Sequence, residues 1–196
     1  MNITAECSDY FVTRVWRFQL QELQQFHEQW LDLVNKLRQA SPTPDARRST
    51  RNGWKTPYDL FKRKEFEVLQ HTIHECTRHI FKQMAVDPAL KFKVNGSVNI
   101  TDPEGYNRQH GHSNTLFVGC YYLQVPENSG DICFTDPRPG AKYAPLSCAS
   151  NHGSSNINIS PREGDLLMFP SWLEHSVETN ESSESRISIP VNIDSV

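Results

Sequence analysis

The chain has 196 residues, with 20 Lys and Arg against 23 Asp and Glu and a formal net charge of -3. This length favours a single domain over residues 1–196, with a core large enough to fold without disulfides or metal staples. Weak acidity without a Lys/Arg-rich patch argues against nucleic-acid and membrane partners and favours a small-molecule or peptidyl substrate.

The N-terminal residues show no basic segment followed by an apolar one, and no apolar run in the sequence approaches the length that spans a bilayer. We therefore predict a cytoplasmic protein. The five cysteines are odd in number and lack a Cys-x-x-Cys spacing, which favours reduced thiols. A homodimer is compatible with the sequence, which does not define the oligomeric state.

The N-terminal part, about residues 1–90, has the periodicity of helices. Apolar residues recur at steps of three and four over residues 20–37, which predicts an amphipathic helix with one buried face. The same spacing over residues 66–84 predicts a second helix. The intervening stretch "ASPTPDARRSTRNGWKTPYDL" contains three prolines and an Asn-Gly pair, and it predicts a long surface loop.

The C-terminal part, about residues 91–196, changes to short runs rich in Val, Ile, Phe and Tyr. They are "VNGSVNI", "LFVGCYYLQV", "DICFTD", "GDLLMFP", "HSVET" and "RISIPVNI", separated by turn segments such as "DPEG" and "PENSG". Six runs at this spacing predict an antiparallel sandwich or barrel, and an α+β protein overall. Residues 147–160, rich in Ser and Asn, predict a mobile, functional loop.

Two histidines in the stretch "RQHGHSN", His110 and His112, suggest a metal site. In an extended strand, residues two apart point to the same face, so both imidazoles can reach one ion. His175, in "FPSWLEHSVETN", offers a third ligand, and three ligands leave coordination positions open. The alternative interpretation treats each as a hydrogen-bonded loop residue. His71 and His74 on the second predicted helix lack a third ligand, and such helix histidines are common.

Arg186 and Ser188 alternate onto one face of the last predicted strand. An arginine fork beside a serine hydroxyl can bind the distal carboxylate of a dicarboxylate whose other end binds the ion. The alternative is that Arg186 is a surface charge.

Three stretches of the chain closely resemble the 2-oxoglutarate and Fe(II) dependent oxygenase family of the prolyl-hydroxylase-like, double-stranded β-helix type. They are "TRNGWKTPYDL", "YNRQHGHSNTLFVGCYYLQVPENSGDICFTDPRP" and "GDLLMFPSWLEHSVETNESSESRISIPVNI". The likeness extends from about Asn52 to Ile193. Its most specific parts are the His-x-His before a Tyr-Tyr strand, the Asp136-Pro137-Arg138 turn, and the Phe-Pro-Ser-Trp-x-x-His segment that leads to Arg-x-Ser.

The resemblance implies a jelly-roll or cupin-like barrel, buttressed by the N-terminal helices. It also implies a dioxygenase that couples decarboxylation of 2-oxoglutarate to hydroxylation of a substrate, with Fe(II), 2-oxoglutarate and O2. The substrate itself is open: a prolyl residue in a protein, a free amino acid and a small metabolite all fit.

The expected iron ligands depart from the usual pattern, which is His-x-Asp/Glu with a distant His. The carboxylate position is occupied by His112 if His110 is the first ligand, or by Asn114 if His112 is. Three arrangements stay open at this point: a three-histidine site, a two-histidine site with water, and a carboxylate supplied from elsewhere. Asp131 and Asp136 are the candidates for the last arrangement.

Five further residues receive expected roles. Tyr121 and Tyr122 alternate across a strand, so only one of these two candidate cosubstrate ligands can face the site. Asn99 and Asn107 precede the histidines and could orient the cosubstrate, ligands or substrate through their amides. Trp172 is expected to pack against the corner before His175.

Two other functions stay open. One is a non-catalytic binding module that kept the β-helix and lost iron competence. The other is a cupin-like dioxygenase that uses three histidines without 2-oxoglutarate, although such an enzyme has no need of the dicarboxylate clamp at Arg186 and Ser188.

Overall fold

The computed structural model describes residues 3–41, 49–143, 147 and 151–196. In chain order, its strands and α-helices are β1 (Trp16–Gln19), α1 (His27–Ala40), β2 (Thr50–Lys55), α2 (Glu67–Gln83), β3 (Phe92–Gly96), β4 (Asn99–His110), β5 (Phe117–Gln124), β6 (Ile132–Thr135), β7 (Asn156–Ile159), β8 (Asp165–Pro170), β9 (His175–Val177) and β10 (Arg186–Ser195). Within the described ranges, neither helix has the length and apolarity needed to span a bilayer.

The strands form one curled antiparallel sheet in the order β1-β8-β5-β10-β4-β9-β6-β7, with β2 added to β4 and β3 added to β10. Strand β4 changes partner along its length. Its first residues, Asn99–Thr101, pair with β10, and its last residues, Asn107–His110, pair with β9. Because one strand belongs to both halves of the sheet, the halves face each other across an interior, as the sequence predicts for a barrel.

Strand β5 shows how alternation divides the apolar residues between two cores. Phe117, Tyr121 and Leu123 contact the core that the helices cover. Val118 and Tyr122, on the opposite face, belong to the core between the two halves of the sheet. Successive strand residues point to opposite faces, so a single strand supplies both the outer packing and the interior of the barrel.

Trp30 of α1 is the centre of the helix-to-sheet contact. It is fully buried, stacks on Phe66 at 5.3 Å between ring centroids, and meets Tyr121 edge-on at 6.1 Å. Its indole N–H donates to the carbonyl oxygen of Glu65 at 2.8 Å. The predicted helical face is therefore confirmed, although a 3-10 segment, Gln21–Phe26, precedes the α-helix proper.

The prediction of a long surface loop between the two helices is partly wrong. Residues 42–48 lie outside the described part of the chain, but β2 follows and pairs with β4. The Asn52-Gly53 pair makes a bulge within the strand rather than a turn: the register shifts there and Asn52 has a φ of 46°. A Cβ on Gly53 would lie 2.2 Å from the Ile100 carbonyl oxygen, so only glycine permits this approach.

Three further expectations need correction. The predicted loop over residues 147–160 contains β7, which pairs with β6, while residues 148–150 lie outside the described residues. The "DPEG" segment lies inside β4, where Glu104 takes a φ of 64° that distorts the strand without ending it. Strand β1 was not predicted, because it is only four residues long and pairs with the distant β8.

We predict that Trp30→Ala lowers the free energy of unfolding by about 3–5 kcal/mol, because it removes the packing of a fully buried indole and leaves a cavity. Urea unfolding followed by circular dichroism measures this change. The matched control is Trp172→Ala, since Trp172 is 55% exposed and its removal should cost about 0.5 kcal/mol or less. Equal losses in the two variants would contradict the central role of Trp30.

Candidate active site

Three histidines converge where β4 ends beside β9. His110 is the last residue of β4 and lies opposite His175 in the β4–β9 register, and His112 follows two residues later. One ligand nitrogen from each ring lies within 4.8 Å of the other two. The ring centroids are 4.4 to 5.4 Å apart. The predicted grouping of the three side chains is therefore present.

Backbone contacts orient these imidazoles. The Nδ1 atoms of His110 and His175 lie 2.7 and 3.0 Å from the carbonyl oxygens of Arg108 and Leu173. A carbonyl oxygen only accepts, so each Nδ1 carries the proton and each Nε2 keeps its lone pair. His112 is held through its backbone N–H, which donates to the Ser171 carbonyl oxygen at 2.9 Å. The Nδ1-protonated tautomer of His110 and His175 leaves each Nε2 free to bind a metal.

The three imidazoles are uncharged at neutral pH. Burial lowers the pKa of His112 to about 4 and that of His175 to about 3, and it also lowers the pKa of His110. The neighbouring rings lower the pKa of His112 and His175 further, because two imidazolium ions at this distance repel. Neutral imidazole is the form that binds a divalent metal, so the site is prepared for an ion.

Arg186, the first residue of β10, is a buried cation in the same cavity. It is 2% exposed, and its Nη1 donates to the carbonyl oxygens of Ser129 and Gly130 at 3.1 and 3.0 Å. Its Nε has no hydrogen-bond partner among the described residues, and no carboxylate there pairs with it. Burial lowers its pKa. A buried charge with an unsatisfied donor is costly, which indicates a place for an anion.

The remaining predicted residues of this cavity come from β4, β5 and β10. Tyr122 and Ser188 line it, together with Asn99 and Asn107. Asn99 accepts from the Thr50 hydroxyl at 2.8 Å, so its amide oxygen already has a partner. Asn107 keeps a buried amide oxygen without a partner among the described residues.

The expectation that Tyr121 could bind a cosubstrate is wrong. Its side chain lies on the opposite face of β5, in the core covered by the helices, and its hydroxyl is 2.7 Å from Nε2 of His27. Because successive side chains of a strand point to opposite faces, only one of the two tyrosines can face the cavity, and it is Tyr122.

The alternative ligands lie elsewhere. Asn114 is exposed with a φ of 61°, and neither Asp131 nor Asp136 lines the cavity; Asp136 instead binds Arg138 at 2.8 Å. Among the described residues, no Asp or Glu lines this cavity. The expectation that Trp172 packs against the corner before His175 is also wrong, because its side chain is 55% exposed.

Among the cavity residues to which sequence reasoning gave no role are Lys55 and Tyr58. The Lys55 ammonium donates to the Tyr58 hydroxyl at 3.2 Å and lies 4.8 Å from the centre of its ring. Their segment was predicted to be a surface loop, whereas Lys55 pairs in register with Asn99 of β4. The pairing joins two segments that are distant in the sequence, so no local residue pattern predicts it.

Comparison with known families finds one match, in the C-terminal half of the chain. The family described as "Putative 2OG-Fe(II) oxygenase" matches residues 98–192, which include the three histidines, Arg186 and Ser188. No curated protein sequence matches the chain.

Three solved structures share the fold. A prolyl-4-hydroxylase from Pseudomonas putida has a TM-score of 0.65 at 14% identity, over 93% of this chain and 92% of that one. The viral collagen prolyl hydroxylase of Paramecium Bursaria Chlorella virus-1, in complex with 2-oxoglutarate, has a TM-score of 0.60 at 15% identity, over 93% and 96%. A Trichoplax adhaerens prolyl hydroxylase, in complex with a peptide fragment of hypoxia inducible factor, has a TM-score of 0.61 at 14% identity, over 92% and 83%.

These matches confirm the double-stranded β-helix fold that the sequence predicts. The family match over residues 98–192 and the shared fold support an oxygenase that uses Fe(II) and 2-oxoglutarate. The three-histidine cluster suits the metal in its chemistry, since it offers three neutral nitrogen donors in one buried place.

The lowered histidine pKa values predict that the metal-free protein loses stability as the pH falls. In the folded state the histidines resist protonation, whereas in the unfolded chain they protonate near pH 6.5, so acid favours unfolding below that pH. The free energy of unfolding, measured in urea with a chelator present, should fall between pH 7 and pH 5. His112→Gln should reduce this loss by roughly 1 kcal/mol.

The matched control for this pH experiment is His71→Gln, because His71 is exposed on α2 and outside the cavity. If His71→Gln reduces the acid loss as much as His112→Gln does, the pH dependence does not originate in the histidine cluster.

Proposed function

We propose that His110, His112 and His175 are the ligands of Fe(II), and that the protein couples oxidation of 2-oxoglutarate to hydroxylation of a substrate. One observation carries the proposal: three nitrogen donors free to bind a metal share a single cavity with a buried arginine that has no carboxylate partner among the described residues. A divalent metal and a dicarboxylate are what these two features bind.

Arg186 is the proposed partner of the far carboxylate of 2-oxoglutarate. Its unsatisfied Nε and its position in the cavity wall support this role, and the neighbouring Ser188 and Tyr122 offer hydroxyls on the same lining. The Cys120 thiol lies beside both hydroxyls. A guanidinium with two hydroxyls surrounds a carboxylate with donors and leaves the other end of the cosubstrate to face the histidines.

The residues of the chain have binding, orienting and water-excluding roles in this scheme. Bound Fe(II) and 2-oxoglutarate, with O2, supply the oxidising chemistry. The backbone carbonyls of Arg108 and Leu173 fix the imidazole tautomers, and Val118, Ile132 and Phe169 give the cavity an apolar wall that limits water. Hydroxylation is favoured because the similar structures include prolyl hydroxylases, and a peptide or a small molecule remains the proposed substrate.

The central test needs no knowledge of the substrate. Anaerobic titration of the protein with Fe(II) and 2-oxoglutarate should give the weak visible charge-transfer band of a metal-bound keto acid, and admission of air should release succinate. A protein that binds neither Fe(II) nor 2-oxoglutarate would disprove the proposed reaction.

We predict that His110→Ala and His175→Ala each lose stoichiometric Fe(II) binding and remain folded, because the pairing of β4 with β9 at these positions is made by the backbone and does not need the imidazoles. His112→Asp should retain Fe(II), since a carboxylate is a good ligand at this position, whereas His112→Ala should bind Fe(II) at least about tenfold more weakly. Metal analysis after anaerobic dialysis, with circular dichroism as the folding control, measures these outcomes.

Wild-type affinity in His112→Ala would exclude His112 as a ligand and favour a two-histidine site completed by water. Full iron occupancy in His110→Ala or His175→Ala would remove the metal assignment itself.

For the cosubstrate, we predict that Arg186→Leu raises the 2-oxoglutarate concentration needed for half-saturation by about tenfold or more. A charge-assisted hydrogen bond contributes about 1.5–3 kcal/mol, which corresponds to that factor. Arg162→Leu is the matched control, because Arg162 is exposed and does not line the cavity. Unchanged 2-oxoglutarate binding in Arg186→Leu would instead favour a three-histidine dioxygenase that does not use this cosubstrate.

A further inference from the structure

The cavity contains a second cation, Lys55. It is half-buried at the end of β2 and lines the same cavity as the three histidines and Arg186. Its ammonium contacts the Tyr58 hydroxyl, and no Asp or Glu among the described residues forms an ion pair with it. Partial exposure places Lys55 where the cavity meets solvent, whereas Arg186 is almost fully buried.

Lys55 lies close to the proposed metal ligands. It pairs in register with Asn99 of β4, the strand that ends at His110, and it lines one cavity with His110 and His112. The ammonium is therefore positioned to contact a molecule bound beside the histidines.

The charges of the occupied site do not balance without a further anion. Two positive charges of the metal are offset by the two carboxylates of 2-oxoglutarate, and the imidazoles contribute none. The charges of Arg186 and Lys55 then remain, and no carboxylate lines the described cavity. In a site with the usual His-x-Asp/Glu ligands, one carboxylate would offset one of these cations. A partly desolvated excess of positive charge favours binding of an anion.

We propose that Lys55, oriented by the Tyr58 hydroxyl, recognises an anionic group on the substrate, so that the substrate of this oxygenase carries a carboxylate or a phosphate near the position that is oxidised. This inference rests on the proposed function, because it places the substrate beside a metal held by the three histidines. Lys55 acts here as a specificity-determining residue: its ammonium donates to an anionic oxygen.

The test uses acetate as the probe of the proposed anion site. The protein is loaded with Mn(II) and 2-oxoglutarate without O2, and the relaxation of the acetate methyl protons is measured at constant ionic strength. Acetate bound near the paramagnetic metal relaxes faster, so the enhancement reports binding without turnover. Methylammonium, which has the same size and the opposite charge, is the control probe and should show no saturable enhancement.

The variants separate recognition of the substrate anion from recognition of 2-oxoglutarate. Lys55→Met should need at least about tenfold more acetate for half-saturation and should keep its 2-oxoglutarate affinity, while Lys55→Arg should retain most acetate binding. Lys62→Met is the matched control, because Lys62 is exposed on the following segment and does not line the cavity. It should behave as the wild type does.

Three results would overturn the inference. If Lys55→Met binds acetate as the wild type does, Lys55 does not recognise the anion. If Lys55→Met loses 2-oxoglutarate affinity and Arg186→Leu does not, Lys55 binds the cosubstrate instead. If the wild-type protein binds neither Mn(II) nor 2-oxoglutarate, the proposed function fails as well, which distinguishes that outcome from a failure confined to Lys55.

Discussion

The partner change of β4 is the constraint on which the site depends. One end of this strand pairs with β10 and the other with β9, so a single strand connects Arg186, opposite Thr101, with His175, opposite His110. In the sequence, His175 is 65 residues and Arg186 is 76 residues beyond His110. Backbone hydrogen bonds of β4 set their separation, and no direct contact between the side chains is needed.

The second constraint is the division of each strand into two faces. On β5 the outward Tyr121 contacts His27 and Trp30 of α1, while the inward Tyr122 lines the cavity. The helices therefore do not touch the site directly. They bury the outer face of the sheet, and the free energy gained there offsets the cost of keeping Arg186 desolvated inside. Changes in the helical core should consequently affect stability before they affect cosubstrate binding.

Much of this arrangement could be predicted from the sequence, because it depends on local periodicity. The spacing of His110 and His112, the alternation of Arg186 and Ser188 and the apolar faces of both helices all repeat within a few residues. What the sequence did not reveal depends on pairing between distant segments: the register that brings Lys55 opposite Asn99 is one example. Asn-Gly and "DPEG" predict turns by composition, but both are irregularities within strands β2 and β4 instead of turns that end them.

Histidine at position 112 and lysine at position 55 change the charge of the site in the same direction. If only one of these two residues were present, the chain could neutralise the site itself. A carboxylate ligand at position 112, for instance, would offset the charge of the Lys55 ammonium. Both occur together, and the described cavity wall contains only neutral side chains besides the cations and the neutral imidazoles. The protein therefore keeps a positive site that its own residues do not neutralise. The anion that completes it has to come from the molecules that bind there, and 2-oxoglutarate offsets the metal but leaves the two side-chain cations.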